Sequence, residues 1–145
     1  LANGVNAIPA ALGGKLKFPF GDVTMVPAQH TNSYNGQYMG VACGFVLNIE
    51  GKNIYFAGDT SLSSEMRMIA DFYKPEISIL PIGGHFTMGI DEACFAAEIL
   101  GSKTVIPMHY NSFPPIKVDL NEFTDKMQAK NQASRIMQTD EEIEL

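Results

Sequence analysis

Three histidines and one aspartate hold most of the chemical potential of this chain. His30 follows "VTMVPAQ", Asp59 follows "NIYFAG", His85 follows "ILPIGG" and His109 follows "TVIPM". Each preceding segment is short, apolar-rich and reads as a strand, so each polar residue is released at or close to a strand end, where ligand-binding loops gather in sheets flanked by helices. Imidazole nitrogen and carboxylate oxygen are the donors expected for zinc, and also for iron or manganese. His30, Asp59 and His109 therefore make a chemically sensible metal set. The intervals of 29 residues from His30 to Asp59 and 50 from Asp59 to His109 match no compact metal motif. Residue types alone leave a second reading open, with each histidine a hydrogen-bonded structural residue and Asp59 the cap of a turn or helix leading into "SLSS".

Neighbouring residues add options without deciding among them. Gly83-Gly84 before His85 would let backbone amides approach an anion closely, or would simply form a flexible turn. Phe86 and Met88, in "FTMG", read as core more than pocket. Asn111 and Ser112 either hydrogen-bond a substrate or shape the loop after His109. Other catalytic sets do poorly: there is no G-x-S-x-G nucleophile elbow, no G-x-x-x-x-G-K-[ST] phosphate loop and no G-x-G-x-x-G fingerprint. Metal-assisted hydrolysis is the sharpest option left. A metal-independent hydrolase with His85 as base lacks an obvious nucleophile.

The elements that must position these residues follow from pattern. "KLKFPFGDVTMV" offers strands at Leu16 to Phe20 and Val23 to Val26 with Gly21-Asp22 as the turn. "GFVLNIEGKNIYFAG" repeats the arrangement, with Phe45, Leu47 and Ile49 alternating, Glu50 to Asn53 turning, and Ile54 to Ala57 returning. After Thr60 the period changes. Leu62, Met66, Ile69, Ala70 and Tyr73 fall at helical spacing, with Ser63 or Ser64 as cap and Pro75 as stop. "ISILP" then reads as a strand covered on both faces, "DEACFAAEILG" as a helix capped by Asp91 and ended by Gly101, and "TVIP" as another buried strand. "DLNEFTDKMQAK" is a third helix with Asp119 and Glu122 in capping-box spacing, and "SRIMQ" a last edge strand. Hairpins first and strand–helix–strand units afterwards predict one α+β domain spanning residues 1–145, a mixed sheet with helices packed on one face.

The totals bound the partners. With 145 residues, 46% hydrophobic and 18% charged, the chain has the composition of an ordinary globular domain. A net charge of -6 and only 10 scattered Lys and Arg argue against a general nucleic-acid binder. No apolar run approaches the ~18 residues of a membrane span and no leader pattern is visible, so the expected location is cytoplasmic. Cys43 and Cys94 lack C-x-x-C spacing and read as small core residues. The acidic "TDEEIEL" reads as a solvated end.

Taken together, "VTMVPAQHTNS", "NIYFAGDTSL", "ISILPIGGHFTMG" and "TVIPMHYNSFP" resemble, in order and approximate spacing, the metallo-β-lactamase-fold metal-dependent hydrolases, most closely the branch similar to ascorbate-phosphate lactonases. The resemblance covers about Lys15 to Glu122. It implies a four-layer αββα sandwich, two mixed sheets with outer helices. It also implies that His30 completes the ligands of a first metal, that Asp59 bridges two metals, most simply two zinc ions with manganese or iron possible, and that His109 is the last histidine on the second. His85 would lie near the pocket mouth, and with Asp59 it is a candidate catalytic residue. The implied reaction is attack of a metal-held hydroxide on an ester, lactone or phosphodiester of small size.

The chain departs from that family in one respect. The H-x-H-x-D-H cluster that supplies most remaining metal ligands does not occur, and the sequence opens on Leu1 rather than methionine. The expectation is a C-terminal portion of a hydrolase domain, needing the missing N-terminal segment for activity. Uncovered strand edges and an apolar sheet face should then call for a partner, either that segment or a second copy in a homo-oligomer. The alternative is a catalytically incomplete fragment or a non-catalytic binding or assembly module of the same fold.

Overall fold

The computed structural model describes Gly4 and residues 6–144. β1 (Lys15–Phe18) and β2 (Gly21–Pro27) form the first hairpin. Its turn is Pro19-Phe20, not the expected Gly21-Asp22: Phe18 already pairs with Gly21 and Lys17 with Asp22. Proline has no N–H to give a ladder, so the turn settles on Pro19. A short ribbon follows, β3 (Ser33–Tyr34) and β4 (Gln37–Tyr38), turning at Asn35-Gly36 with positive φ at both. The sequence reading did not anticipate it.

β5 (Cys43–Ile49) and β6 (Lys52–Phe56) make the second long hairpin. Here the turn is two residues, Glu50-Gly51, with φ of 51° and 83°, the geometry whose twist matches paired strands, so Lys52 and Asn53 belong to the strand. α1 (Glu65–Tyr73) starts after Ser64 and ends at Lys74 in a left-handed conformation, directly before Pro75, as expected. β7 (Ile77–Pro81) leads to α2 (Ile90–Leu100), whose cap is Gly89 rather than Asp91. The Glu92 carboxylate accepts the Gly89 N–H at 3.1 Å, and Asp91 sits in the first turn, where a negative charge suits the helix dipole.

β8 (Thr104–Met108) and a 3-10 turn at Pro114–Ile116 precede α3 (Leu120–Ala129). Asp119 caps α3 by accepting the Asn121 N–H, while Glu122 closes no capping box and pairs instead with Lys126 at 2.7 Å. The expected edge strand at "SRIMQ" shrinks to one parallel bridge between Ser134 and Val105. Val105 uses both its N–H and its carbonyl on that edge, and the next outward position is Pro107, which has no N–H to continue the ladder.

The strands form one sheet in the order β1-β2-β5-β6-β7-β8, antiparallel up to β6 and parallel from β6 to β8. β2 and β6 both lie antiparallel to β5, so β2, β6, β7 and β8 all run the same way and end at the same edge. One face packs against the helices: Val46, Tyr55, Leu80 and Val105 share a core with Met66, Ala97 and Phe123. The alternating positions form an apolar row across five strands on the other face, where Met25 pairs with Phe45, Phe45 with Phe56, Phe56 with Ile79 and Ile79 with Ile106. Along that row Ile106 is buried, Met25, Phe45 and Ile79 are half-buried and Phe56 is exposed, and the mixed sheet with its helices makes an α+β fold.

Candidate metal centre

All four chemically interesting residues emerge at the shared edge, after β2, β6, β7 and β8. Asp59 is aimed by Gly58, which turns the chain with φ of 66° and lies so close to β5 that a Cβ there would meet the Cys43 carbonyl oxygen at 2.7 Å. Asp59 is not a helix cap, since α1 begins only after Ser64. Its Oδ2 stands 3.6 Å from Nε2 of His109. Two donors on one tetrahedral zinc, at bond lengths of about 2.0–2.2 Å, are separated by roughly 3.4 Å, so this distance suits a pair of ligands on one ion.

His109 departs from the usual ligand histidine in one respect. Its Nδ1 is buried without a hydrogen-bond partner among the described residues. Ligand histidines ordinarily pass their other ring nitrogen to an acceptor, and a buried ring nitrogen with none costs free energy. The residue also sits at φ 54°, as do His85 at 55° and Asn111 at 56°, so both loops hold non-glycine residues in a sparsely populated backbone region. Asn111 is a loop-shaping residue: its Oδ1 accepts the Val118 N–H at 2.8 Å and its N–H reaches the Ile116 carbonyl at 2.9 Å.

His30 is exposed and its Nδ1 contacts the Thr31 carbonyl at 2.7 Å. It lines a cavity of about 450 Å³ together with Asp59, Cys43, Asn32 and Ser33. His30 and Asp59 therefore face common space, yet no group of three or more metal-binding side chains closes around one point among the described residues. β2 and β6 lie roughly 10 Å apart across β5, as β6 and β8 do across β7, but only the second pair of strands brings its two donors, Asp59 and His109, to 3.6 Å of each other among the described residues. His85 is exposed, with its ring edge-on to Phe86 at 4.4 Å, and Phe86 lies 6.1 Å from Phe113. Met88 is core as expected, whereas Phe86 is on the surface, 52% exposed.

Two further residues belong to this edge, neither of them placed there by the sequence reading. Thr60 is buried, and its hydroxyl accepts the Gln29 N–H at 3.0 Å and donates to the Ser61 carbonyl at 2.9 Å. Ser61 N–H returns to the Gln29 carbonyl and Met88 N–H reaches the Thr60 carbonyl, each at 3.0 Å. One buried threonine thus ties the loops of His30, Asp59 and His85. Gly83 joins the fourth loop by contact, since a Cβ there would meet the His109 carbonyl oxygen at 2.3 Å. The second residue is Cys43, expected as core but half-buried beside His30 and Asp59. The first residue of a strand antiparallel to the others must start at their terminal edge, and that is the signal that could have found it.

Comparison with known proteins bears on the fold and the family. A family model described as "Beta-lactamase superfamily domain" matches residues 1–110. A UPF0173 metal-dependent hydrolase of Methanocorpusculum labreanum is 43% identical over 148 residues, covering 98% of this chain and 68% of the relative. One from Natranaerobius thermophilus is 46% identical over 127 residues, covering 88% of this chain and 56% of the relative. Among solved structures, Igni18, a metallo hydrolase from the hyperthermophilic archaeon Ignicoccus hospitalis, superposes with a TM-score of 0.87 at 40% identity, covering 97% of this chain and 61% of that one. The chain thus spans between about half and two thirds of the length of the proteins it matches.

Proposed function

The chain belongs to the beta-lactamase superfamily, among the UPF0173 metal-dependent hydrolases, and from that premise we propose that it supplies one edge of a metal-dependent hydrolase site for a small ester, lactone or phosphodiester. The observation that carries the reading is the 3.6 Å approach of Asp59 to His109. Asp59 and His109 would hold a divalent ion, zinc first and manganese or iron as alternatives, with Asp59 shared toward a second ion on the His30 side. When bound, such metals supply a nucleophilic water at neutral pH and positive charge against the anion that forms on attack.

The chain's own residues do the rest. Asp59 and His109 present two donors from the same sheet edge, and Thr60 fixes the loops around them. His85, on the exposed loop after β7, is with Asp59 the candidate catalytic residue of this edge. Two donors do not complete a tetrahedral shell. The remaining ligands come, in this proposal, from a further N-terminal segment or from a second copy, and the same partner covers the half-buried part of the apolar row, from Met25 to Ile79. The unpaired Cys43 and Cys94 fit a reducing, cytoplasmic setting, and among the described residues no helix is long and apolar enough to cross a membrane.

Titration calorimetry with zinc and manganese, together with hydrolysis of p-nitrophenyl acetate and bis-p-nitrophenyl phosphate, tests this on the chain alone and on an N-terminally extended form. The extended form should bind more metal and turn over substrate. Equal metal content and activity in both would overturn the incomplete-shell argument. Metal binding by neither would favour the second reading, a non-catalytic binding or assembly module, to which the absence of a three-ligand group among the described residues already lends weight.

A further inference from the structure

The cavity shared by His30 and Asp59 does not end there. A second one, about 550 Å³, adjoins it and shares His30, Thr31, Asn32, Ser33 and Ala42. The two make a continuous groove with His30 at its middle, and each is of a size that small-molecule sites occupy. One end carries Asp59 and Cys43. The other is lined by Ala28, Val41 and Tyr38, under the β3–β4 ribbon.

The ribbon's register decides which side chains face the groove. Ser33 pairs with Tyr38 and Tyr34 with Gln37, so Ser33 and Tyr38 share one face of the ribbon and Tyr34 lies on the other. Ser33 and Tyr38 line the groove. Tyr34 does not, although both tyrosines are exposed, Tyr34 at 70% and Tyr38 at 74%. Charge is the second discriminator. Among the described residues lining the two cavities there is no lysine and no arginine, and the only carboxylate is that of Asp59. A phosphate or carboxylate in the Tyr38 end would find no cation to pair with, whereas a ring or short aliphatic group would meet an aromatic face and methyl groups.

We infer that this groove binds the non-reacting part of the substrate, and that this part is uncharged and apolar, most simply an aromatic ring, seated against Tyr38 and Val41 while the scissile group lies toward Asp59. The inference rests on the hydrolase reading only for which end reacts. It narrows the substrate class to compounds whose non-reacting substituent is neutral and apolar, and away from those that carry a phosphate or carboxylate on that substituent.

The test needs neither metal nor turnover. Methyl and amide NMR spectra of the isotopically labelled protein are followed while acetanilide, a neutral aromatic amide, or phenyl phosphate is added. Acetanilide should move the signals of Ala28, Val41 and Ala42, and phenyl phosphate should not. Tyr38→Ala should weaken acetanilide binding roughly two- to tenfold, the range one aromatic contact carries. Tyr34→Ala, on the opposite face of the same ribbon, should leave it unchanged and controls for damage to the ribbon. The inference is overturned by phenyl phosphate moving the same signals as strongly, by acetanilide mapping elsewhere, or by equal losses in the two variants. It is also overturned if the ribbon signals move with protein concentration alone, which would mean that a second copy occupies the groove. Groove binding without metal binding would sink the hydrolase reading and leave the groove standing; metal binding without groove binding would do the reverse.

Discussion

The carboxylate of Asp59 lies 3.6 Å from Nε2 of His109, although the two residues leave the sheet on strands separated by β7. Asp59 lies three residues past β6 and His109 directly past β8, with Gly58 and His109 at positive φ where the chain leaves each strand, and nothing in the local sequence of either requires the approach. If the approach exists to hold a metal, His109→Ala and Asp59→Asn should each weaken zinc binding at least about tenfold to a hundredfold, the loss produced even by removing a group that only supports a ligand. Calorimetry reads this directly. Affinity unchanged in both variants would remove the pair from the site.

Thr60→Val keeps the shape of the side chain and removes its hydroxyl, leaving the Gln29 N–H without its acceptor. The expected loss of stability is about 1–3 kcal/mol in urea denaturation, and Thr60→Ser should recover most of it. Full stability in the valine variant would show that the tie between the His30 and Asp59 loops is dispensable.

The glycines before His85 should behave differently from one another. In Gly83→Ala the new Cβ meets the His109 carbonyl oxygen at 2.3 Å and the Ile116 Cβ at 2.9 Å, so His109 must shift. Stability should fall by about 1–3 kcal/mol and metal affinity should fall with it. Gly84→Ala has its nearest atom at 3.8 Å and suffers only from φ of 64°, so thermal melts should register a loss of about 1 kcal/mol with metal binding retained. Identical profiles for the two variants would contradict the packing of Gly83 on His109.

Both cysteines are free, but their surroundings differ. Burial pushes the Cys94 thiol pKa up and shields it, whereas Cys43 borders the cavity at Asp59. Iodoacetamide should therefore modify Cys43 in the folded protein and Cys94 only under unfolding conditions, with bound metal slowing the first reaction. Mass spectrometry of peptides distinguishes them. Faster labelling of Cys94 in the native state would refute the assignment.

Alkaline pH should destabilise the fold through its interior. Burial raises the pKa of the Tyr55 phenol as well as that of Cys94, so at high pH the unfolded chain releases protons that the folded one retains. Stability from these groups is complete below their ordinary ranges and falls as pH rises above about 9–10. In thermal melts from neutral pH upward, Tyr55→Phe should flatten the decline. A decline of unchanged slope would place its origin elsewhere.

Much of the fold was legible because its determinants are local. The alternation of Phe45, Leu47 and Ile49, the helical spacing of Met66, Ile69 and Tyr73, and the stops at Pro75 and Gly101 all appear where pattern places them. The errors lie where two local rules compete: Pro19 against Gly21-Asp22 for a turn, and Gly89 with Glu92 against Asp91 for a cap. The β3–β4 ribbon was invisible because residues 28–42 are polar and glycine-containing, with no period to read. For the site, strand ends located His30, Asp59, His85 and His109 on one edge. Which of them meet was not legible, because the approach of Asp59 to His109 across β7 depends on side-chain direction and loop packing that no interval in sequence encodes. Cys43 and Thr60 were missed for related reasons, one entering the edge backwards and the other acting through backbone partners.

The common direction of β2, β6, β7 and β8 also defines an opposite edge, where the chain turns at Pro19-Phe20 and Glu50-Gly51 and re-enters β8 after Gly101. The five residues of β6 separate Glu50-Gly51 from Asp59 by about 17 Å or more. A tag, a dye or a tether to a solid support placed at that exposed turn would leave the groove and its loops untouched. An immobilised protein held there would point its chemistry away from the surface, with every molecule oriented alike.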